Sequence, residues 1–150
     1  MKKPVKELED FGKKLVADIE KGRNPTIEFT LRSLSNIVFD TKTKTLMLGD
    51  KQQQRAFFNV GHAKKFLQTL EVGRVSRKLL DAGKHASLRD VFYMAKRTLP
   101  DSSINIVDDQ DESDNAIEDL ELITDCSREQ LNINANKMGS VAGNVTIEDS

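Results

Sequence analysis

Residues 87–94 read SLRDVFYM. Ser87 and Asp90 stand three positions apart ahead of an apolar stripe, a variant of the capping box that opens many helices. Leu88, Val91, Phe92, Ala95 and Leu99 then fall in an arc roughly 100° wide at the helical period. The spacing predicts a helix over 87–99 with a core-facing side, closed by Pro100. Tyr93, the sole tyrosine of the chain, lies outside that arc. On the same projection Arg89, Lys96 and Arg97 share its face, because positions three and four apart are neighbours. Two roles fit such a phenol. As an amphipathic edge residue it packs its ring, keeps its hydroxyl in water and stacks under Arg89. As a nucleophile it attacks a phosphodiester. A phenol with an ordinary pKa of about 10 then needs cations to favour phenolate and hold the phosphate. Arg89 suits both tasks, and its fork matches phosphate better than an ammonium does.

Upstream, Val60 to Ala82 carries Ala63, Phe66, Leu67, Leu70, Val75, Leu79 and Leu80 at helical spacing, with Gly83 placed to stop the helix. Further back, PVKELEDFGKKLVADIEKG predicts an amphipathic helix between Pro4 and Gly22, whose apolar side needs a cover from its own domain or from another chain. TIEFTL, NIVFD and TLMLGD read as strands, the last two joined by TKTK into a small hairpin. Downstream, DSSINIVDDQDESDN reads as a solvated acidic loop. Ile117, Leu120 and Ile123 mark a helix to about Asp125, and two glycines in INANKMGSVAGNVTIEDS suit a terminal β-hairpin. Helices followed by a hairpin are what a winged helix requires. The expected class is α+β: an N-terminal helix and β-hairpin extension over 1–59, then a winged-helix (CAP-like) DNA-binding module over 60–150.

A chain of 150 residues, 37% of them hydrophobic, has enough apolar content for one ordinary core. No apolar run is long enough for a membrane span and no signal core follows the start, so a cytoplasmic protein is expected. Cys126, the single cysteine, has no partner for a disulfide or a metal motif. The net charge of -1 conceals a division at Pro100. The first hundred residues hold 21 Lys/Arg against 11 Asp/Glu, and the remaining fifty hold 2 against 13. A basic part facing a polyanion explains this, and so does attraction between the two parts.

The acidic run from Asp108 to Asp114 fails as a calcium loop. Counting from Asp109, the sixth position is Asp114 rather than glycine and the twelfth is Leu120. His62 and His85 lack ligand spacing and read as a helix-surface and a loop residue. Lys64 and Lys65 either contact phosphate or solvate a helix, and Lys84 precedes a histidine that could touch a DNA backbone. No glycine-rich phosphate loop is present.

The string Arg89-Asp90-Val91-Phe92-Tyr93 resembles that of the A-subunit family of archaeal type IIB DNA topoisomerases (topoisomerase VI) and their meiotic double-strand-break relatives. The likeness extends to RSLSNIVFD, TLMLGD, NVGHAKKFLQT and DDQDESDNAIEDLE, and so to nearly the whole chain. The resemblance implies that Tyr93 is the nucleophile, supported by Arg89, forming a 5′-phosphotyrosyl link. With duplex DNA as the expected partner, the cations Lys96, Arg97, Lys84, Lys64 and Lys65 are the expected contacts, and no metal ligand is expected in this chain. Mg²⁺ would be held by a Toprim domain that the family carries further on, which makes this chain an expected fragment, inactive alone. ATP would be bound by a B subunit within an A2B2 assembly built on an A homodimer, associated with the nucleoid. The other readings are a non-catalytic winged-helix DNA-binding protein and a meiotic-type break initiator.

Overall fold

The computed structural model describes residues 3–135 and shows an α+β protein. No helix among these residues is long and apolar enough to cross a membrane. The chain runs α1 (Lys3–Glu20), β1 (Thr26–Thr30), a 3-10 turn (Leu34–Asn36), β2 (Ile37–Asp40), β3 (Thr45–Leu48), β4 (Gln52–Ala56), α2 (Val60–Ala82), β5 (Ala86–Ser87), α3 (Leu88–Ala95), α4 (Gln110–Thr124) and β6 (Ile133–Asn134).

The centre is α2, as long as its periodicity predicts. Asn59 caps it by accepting from Gly61 N, and Gly83 closes it in the left-handed conformation at φ 62°, where a side chain would be strained. Its apolar residues do not form one stripe. Val72, Val75 and Leu79 face α3 and α4 in a cluster with Val91, Ala95, Ile117 and Leu120, whereas Phe66 joins Leu15, Ile27 and Phe29. A helix buried on two sides must also bury polar groups. Ser76 donates to Leu131 O at 2.9 Å and Gln68 to Ile106 O at 3.0 Å.

The N-terminal helix is covered by its own chain, through Leu8 in the first cluster and Leu15 in the second. Its predicted apolar face is narrower than expected, for Val16 and Ile19 remain exposed. The expected β2–β3 hairpin forms, and all of its strand residues except Asp40 are exposed. Its base is held by Asn36, which donates to Leu31 O and Gly49 O and accepts from Lys51 N. A Cβ on Gly49 would lie 2.7 Å from Asn36 Oδ1, so that close approach requires glycine.

Two expectations need correction, and one strand was not expected at all. Gln52–Ala56, unremarkable as sequence, is a strand paired antiparallel with β1. The helix after Ser87 ends at Ala95 rather than 99. Ile106 N donates to Arg97 O at 2.8 Å and Leu99 N to Ile104 O at 2.9 Å, closing a tight hairpin over 97–106. The acidic run from 108 is not a loop, because α4 begins at Gln110. Asp109 is its N-cap, and Asp111 and Glu112 occupy its first turn, where carboxylates meet the positive end of the helix dipole. The terminal hairpin expected over 133–150 lies outside the described residues except for β6, which pairs in parallel with β5.

Candidate functional site

The segment carrying Tyr93 is fixed at its start by the capping box read from the sequence. Ser87 Oγ accepts from Asp90 N at 3.2 Å, while Asp90 Oδ2 accepts from Ser87 N and from Ser87 Oγ. Those bonds from the Ser87 side chain and backbone hold the Asp90 carboxyl below its ordinary range. Val91 and Ala95 are wholly buried, and Leu88 and Phe92 pack at the edge of the same core. One side of α3 is thus anchored and the other presented. Replacing Ser87 by alanine is expected to lower stability by about 1 kcal/mol and to speed amide exchange in the first turn of α3. Hydrogen exchange read by mass spectrometry checks this.

On the presented side Tyr93 is 57% exposed. Arg89 Nη2 donates to Tyr93 Oη at 3.3 Å, and its guanidinium carbon lies 5.8 Å from the ring centroid. A permanent cation therefore rests on the phenol oxygen, one helical turn away. Because α3 stops at Ala95, the other two predicted neighbours diverge. Lys96 lies 5.5 Å over the ring of Phe92, and Arg97 Nη1 sits 3.6 Å from Glu71 Oε2. Lys84 and Lys65 are exposed, while Lys64 contacts Asp108 at 2.7 Å and Glu112 at 2.6 Å. Those two carboxylates raise the Lys64 pKa above the ordinary lysine value.

Attraction between the basic and acidic parts is realised in the fold. Besides Lys64, Lys3 pairs with Asp125, Arg32 with Glu118 and Arg55 with Asp119. Arg55 and Asp119 join β4 to α4 beside a cleft of about 410 Å³ that Lys64 and Lys65 also line. Among the described residues Arg89, Lys65, Lys84 and Lys96 make no ion pair; Lys65 lines the cleft, and Arg89, Lys84 and Lys96 leave a basic surplus on and beside α3.

Sequence reasoning missed Arg55, Glu71 and Arg74. For the last two a signal was available in their i, i+3 spacing on a confident helix. His62 is half-buried rather than a surface residue, and its Nδ1 has no partner among the described residues; His85 is exposed in the loop before β5. Cys126 is buried, with Sγ 3.3 Å from Thr124 O.

With this geometry in place, a model of the type IIB DNA topoisomerase family matches residues 64–133. That span includes Arg89, Tyr93 and all of α2 beyond its first turn. The chain is similar to members of this family along nearly all of its length. It is 41% identical over 147 residues to the A subunit of type 2 DNA topoisomerase 6 from Pyrococcus abyssi, covering 98% of this chain and 38% of the relative. The corresponding protein of Pyrococcus horikoshii is 40% identical over the same length, and that of Methanocaldococcus jannaschii 34% over 131 residues. The chain thus spans 34–38% of the length of these relatives. Among its described residues no group of three or more His, Cys, Asp or Glu is placed to hold a metal ion. These residues do not fit the divalent cation that the family resemblance implies.

Proposed function

We propose that this chain is the DNA-binding and tyrosine-bearing part of a topoisomerase VI A subunit. In this reading residues 60–150 form a winged-helix module and 1–59 an extension packed on it. The observation that carries the proposal is the contact of Arg89 with the exposed Tyr93 hydroxyl on a helix whose other face is locked in the core.

The chemistry is an exchange of phosphodiesters. Tyr93 Oη loses its proton and bonds to phosphorus while the bond from phosphorus to the 3′ oxygen breaks. A proton returns to that oxygen, leaving a 5′-phosphotyrosyl link and a free 3′-OH. One phosphodiester replaces another, so the cut strand is resealed by the reverse step without another energy source. Arg89 supplies a bidentate donor for the phosphate oxygens and a fixed positive charge beside the attacking atom. Lys84, Lys96, Arg97 and Lys65 hold the flanking backbone, with Lys64 contributing if a phosphate displaces its carboxylates. Within the whole enzyme Mg²⁺ bound away from these residues would supply positive charge to the exchange, and an ATPase B subunit in an A2B2 assembly would drive passage of a second duplex through the break. The work is done in the cytoplasm, at the nucleoid.

Arg89→Ala tests the binding half of this reading. Titrated against a fluorescent duplex at several salt concentrations, the variant is expected to bind about three- to tenfold more weakly than the parent. The slope of log affinity against log salt should be shallower by about one. An unchanged slope and affinity would place Arg89 away from the phosphates.

A further inference from the structure

Glu71 is 7% exposed, and its carboxylate is approached by two guanidinium groups. Arg74, three residues on along α2, donates Nε to Oε2 at 2.9 Å and Nη2 to Oε1. Arg97, from the segment that follows α3, places Nη1 3.6 Å from Oε2. A bidentate guanidinium alone pairs a carboxylate fully. The second leaves a cluster with one surplus positive charge, and it holds two like charges close to one another. The side chains of Arg74 and Arg97 are 34% and 54% exposed, and much of their fan of N–H donors is unused. Among the described residues Arg74 and Arg97 pair with no carboxylate but that of Glu71, and Asp108 and Glu112, which follow the 97–106 hairpin, pair with Lys64.

The cluster is also tied to the hairpin through α2. Arg97 and Ile106 face each other at the base of the 97–106 hairpin, joined by Ile106 N donating to Arg97 O. Both are gripped from α2, Ile106 by Gln68 and Arg97 by Glu71, and these two grips lie one turn apart. The backbone and the guanidinium of Arg97 are therefore referred to the same helix, which lowers the ordering cost of binding an anion there. A bridge serving only to fasten the hairpin needs no second exposed guanidinium.

We infer that Arg74 and Arg97, aligned by the buried Glu71, form a phosphate site for the backbone of duplex DNA, separate from the phosphate handled by Arg89. The inference rests on the DNA-binding reading above. It adds Arg74 and Glu71 to the interface, and it makes Glu71 a positioning residue that touches no DNA.

The test is fluorescence anisotropy of a labelled duplex with the parent, Arg74→Ala, Arg97→Ala, Arg74→Lys and Glu71→Gln, each over a salt series with its melting curve recorded. Arg74→Ala and Arg97→Ala are each expected to weaken binding about fivefold and to reduce the salt slope by about one. Arg74→Lys keeps the charge and the slope but loses the fork, so it should fall between parent and alanine. Glu71→Gln decides between alignment and plain charge. Removing a negative charge strengthens binding if the arginines act only through net charge, whereas loss of their alignment weakens it, and weakening is the expected result. Tighter binding by Glu71→Gln, or parent-like affinity and slope for folded Arg74→Ala, overturns the site while leaving the DNA-binding reading intact. Absence of duplex binding by the parent defeats both together.

Discussion

Asp119→Ala is expected to destabilise the protein by about 3 kcal/mol, near the lower end of what losing one member of a buried ion pair costs. The side chains of Arg55 and Asp119 are 10% and 15% exposed, and the guanidinium of Arg55 lies 4.8 Å over the Phe29 ring. Without the carboxylate this guanidinium keeps its aromatic neighbour but loses its counter-charge, with too little water at hand to replace it. The cost stays below the full range because one wall of the site is the cleft, which admits some solvent. In a chain of this length the loss corresponds to a fall in Tm of roughly 6–12 °C by circular dichroism. Replacing both residues, as in Asp119→Ala with Arg55→Met, is expected to recover much of the loss, because no charge is then stranded. A single variant that melts with the parent would show that the pair is solvated, and that apolar packing of Ile27 and Phe29 with Leu122 and Ile123 suffices to hold α4 to the small sheet.

That ion pair also shows where reading the sequence succeeds and where it stops. The long helix was legible because apolar spacing and a closing glycine agree over more than six turns. The start of α3 was legible for a similar reason, since Ser87 and Asp90 are a local grammar that needs no tertiary partner. Strand β4 was not. Gln52–Ala56 has no apolar alternation, and it is a strand because β1 lies beside it and because Arg55 finds Asp119, 64 residues away. The end of α3 was misplaced by a related effect. Nothing local forbids helix at 96–99, but pairing of Arg97 with Ile106 and of Leu99 with Ile104 wins. The acidic run was misread by weighing charge density above position. Three of its carboxylates lie at the start of a helix, where the dipole favours them.

At the candidate site the Arg89–Tyr93 pair was legible, being a single-turn relation within one helix. The Glu71 cluster joins two elements that only the folded chain brings together. The charge division at Pro100 has a double meaning that composition could not separate. Part of the basic half is matched by the acidic half within the fold, through Arg55, Lys64, Arg32 and Lys3. A smaller set of cations around α3 remains for a polyanion.

The larger predicted effect concerns Tyr93. Tyr93→Phe removes one oxygen and keeps the ring. Phe92 stays beside it, with centroids 5.1 Å apart in the parent, and the buried side of α3 is untouched. Stability is expected to change by less than about 0.5 kcal/mol and duplex affinity by less than about twofold, since Arg89 still reaches the phosphate. Covalent capture of DNA should fall by at least about 10³-fold, because no neighbouring side chain offers a second phenol and a missing nucleophile is not replaced by binding energy. A residue that only packs or binds would give the opposite pattern, a measurable loss of affinity with no covalent chemistry to lose.

The most direct measurement is an SDS-quenched adduct assay on end-labelled duplex. This sequence, or its Tyr93→Phe variant, is presented within a full-length A subunit together with Mg²⁺, the ATPase partner and a non-hydrolysable nucleotide. The account predicts labelled protein with the parent and none with Tyr93→Phe at equal duplex occupancy. Label that persists in Tyr93→Phe, or no label with either while the duplex still binds, would contradict it.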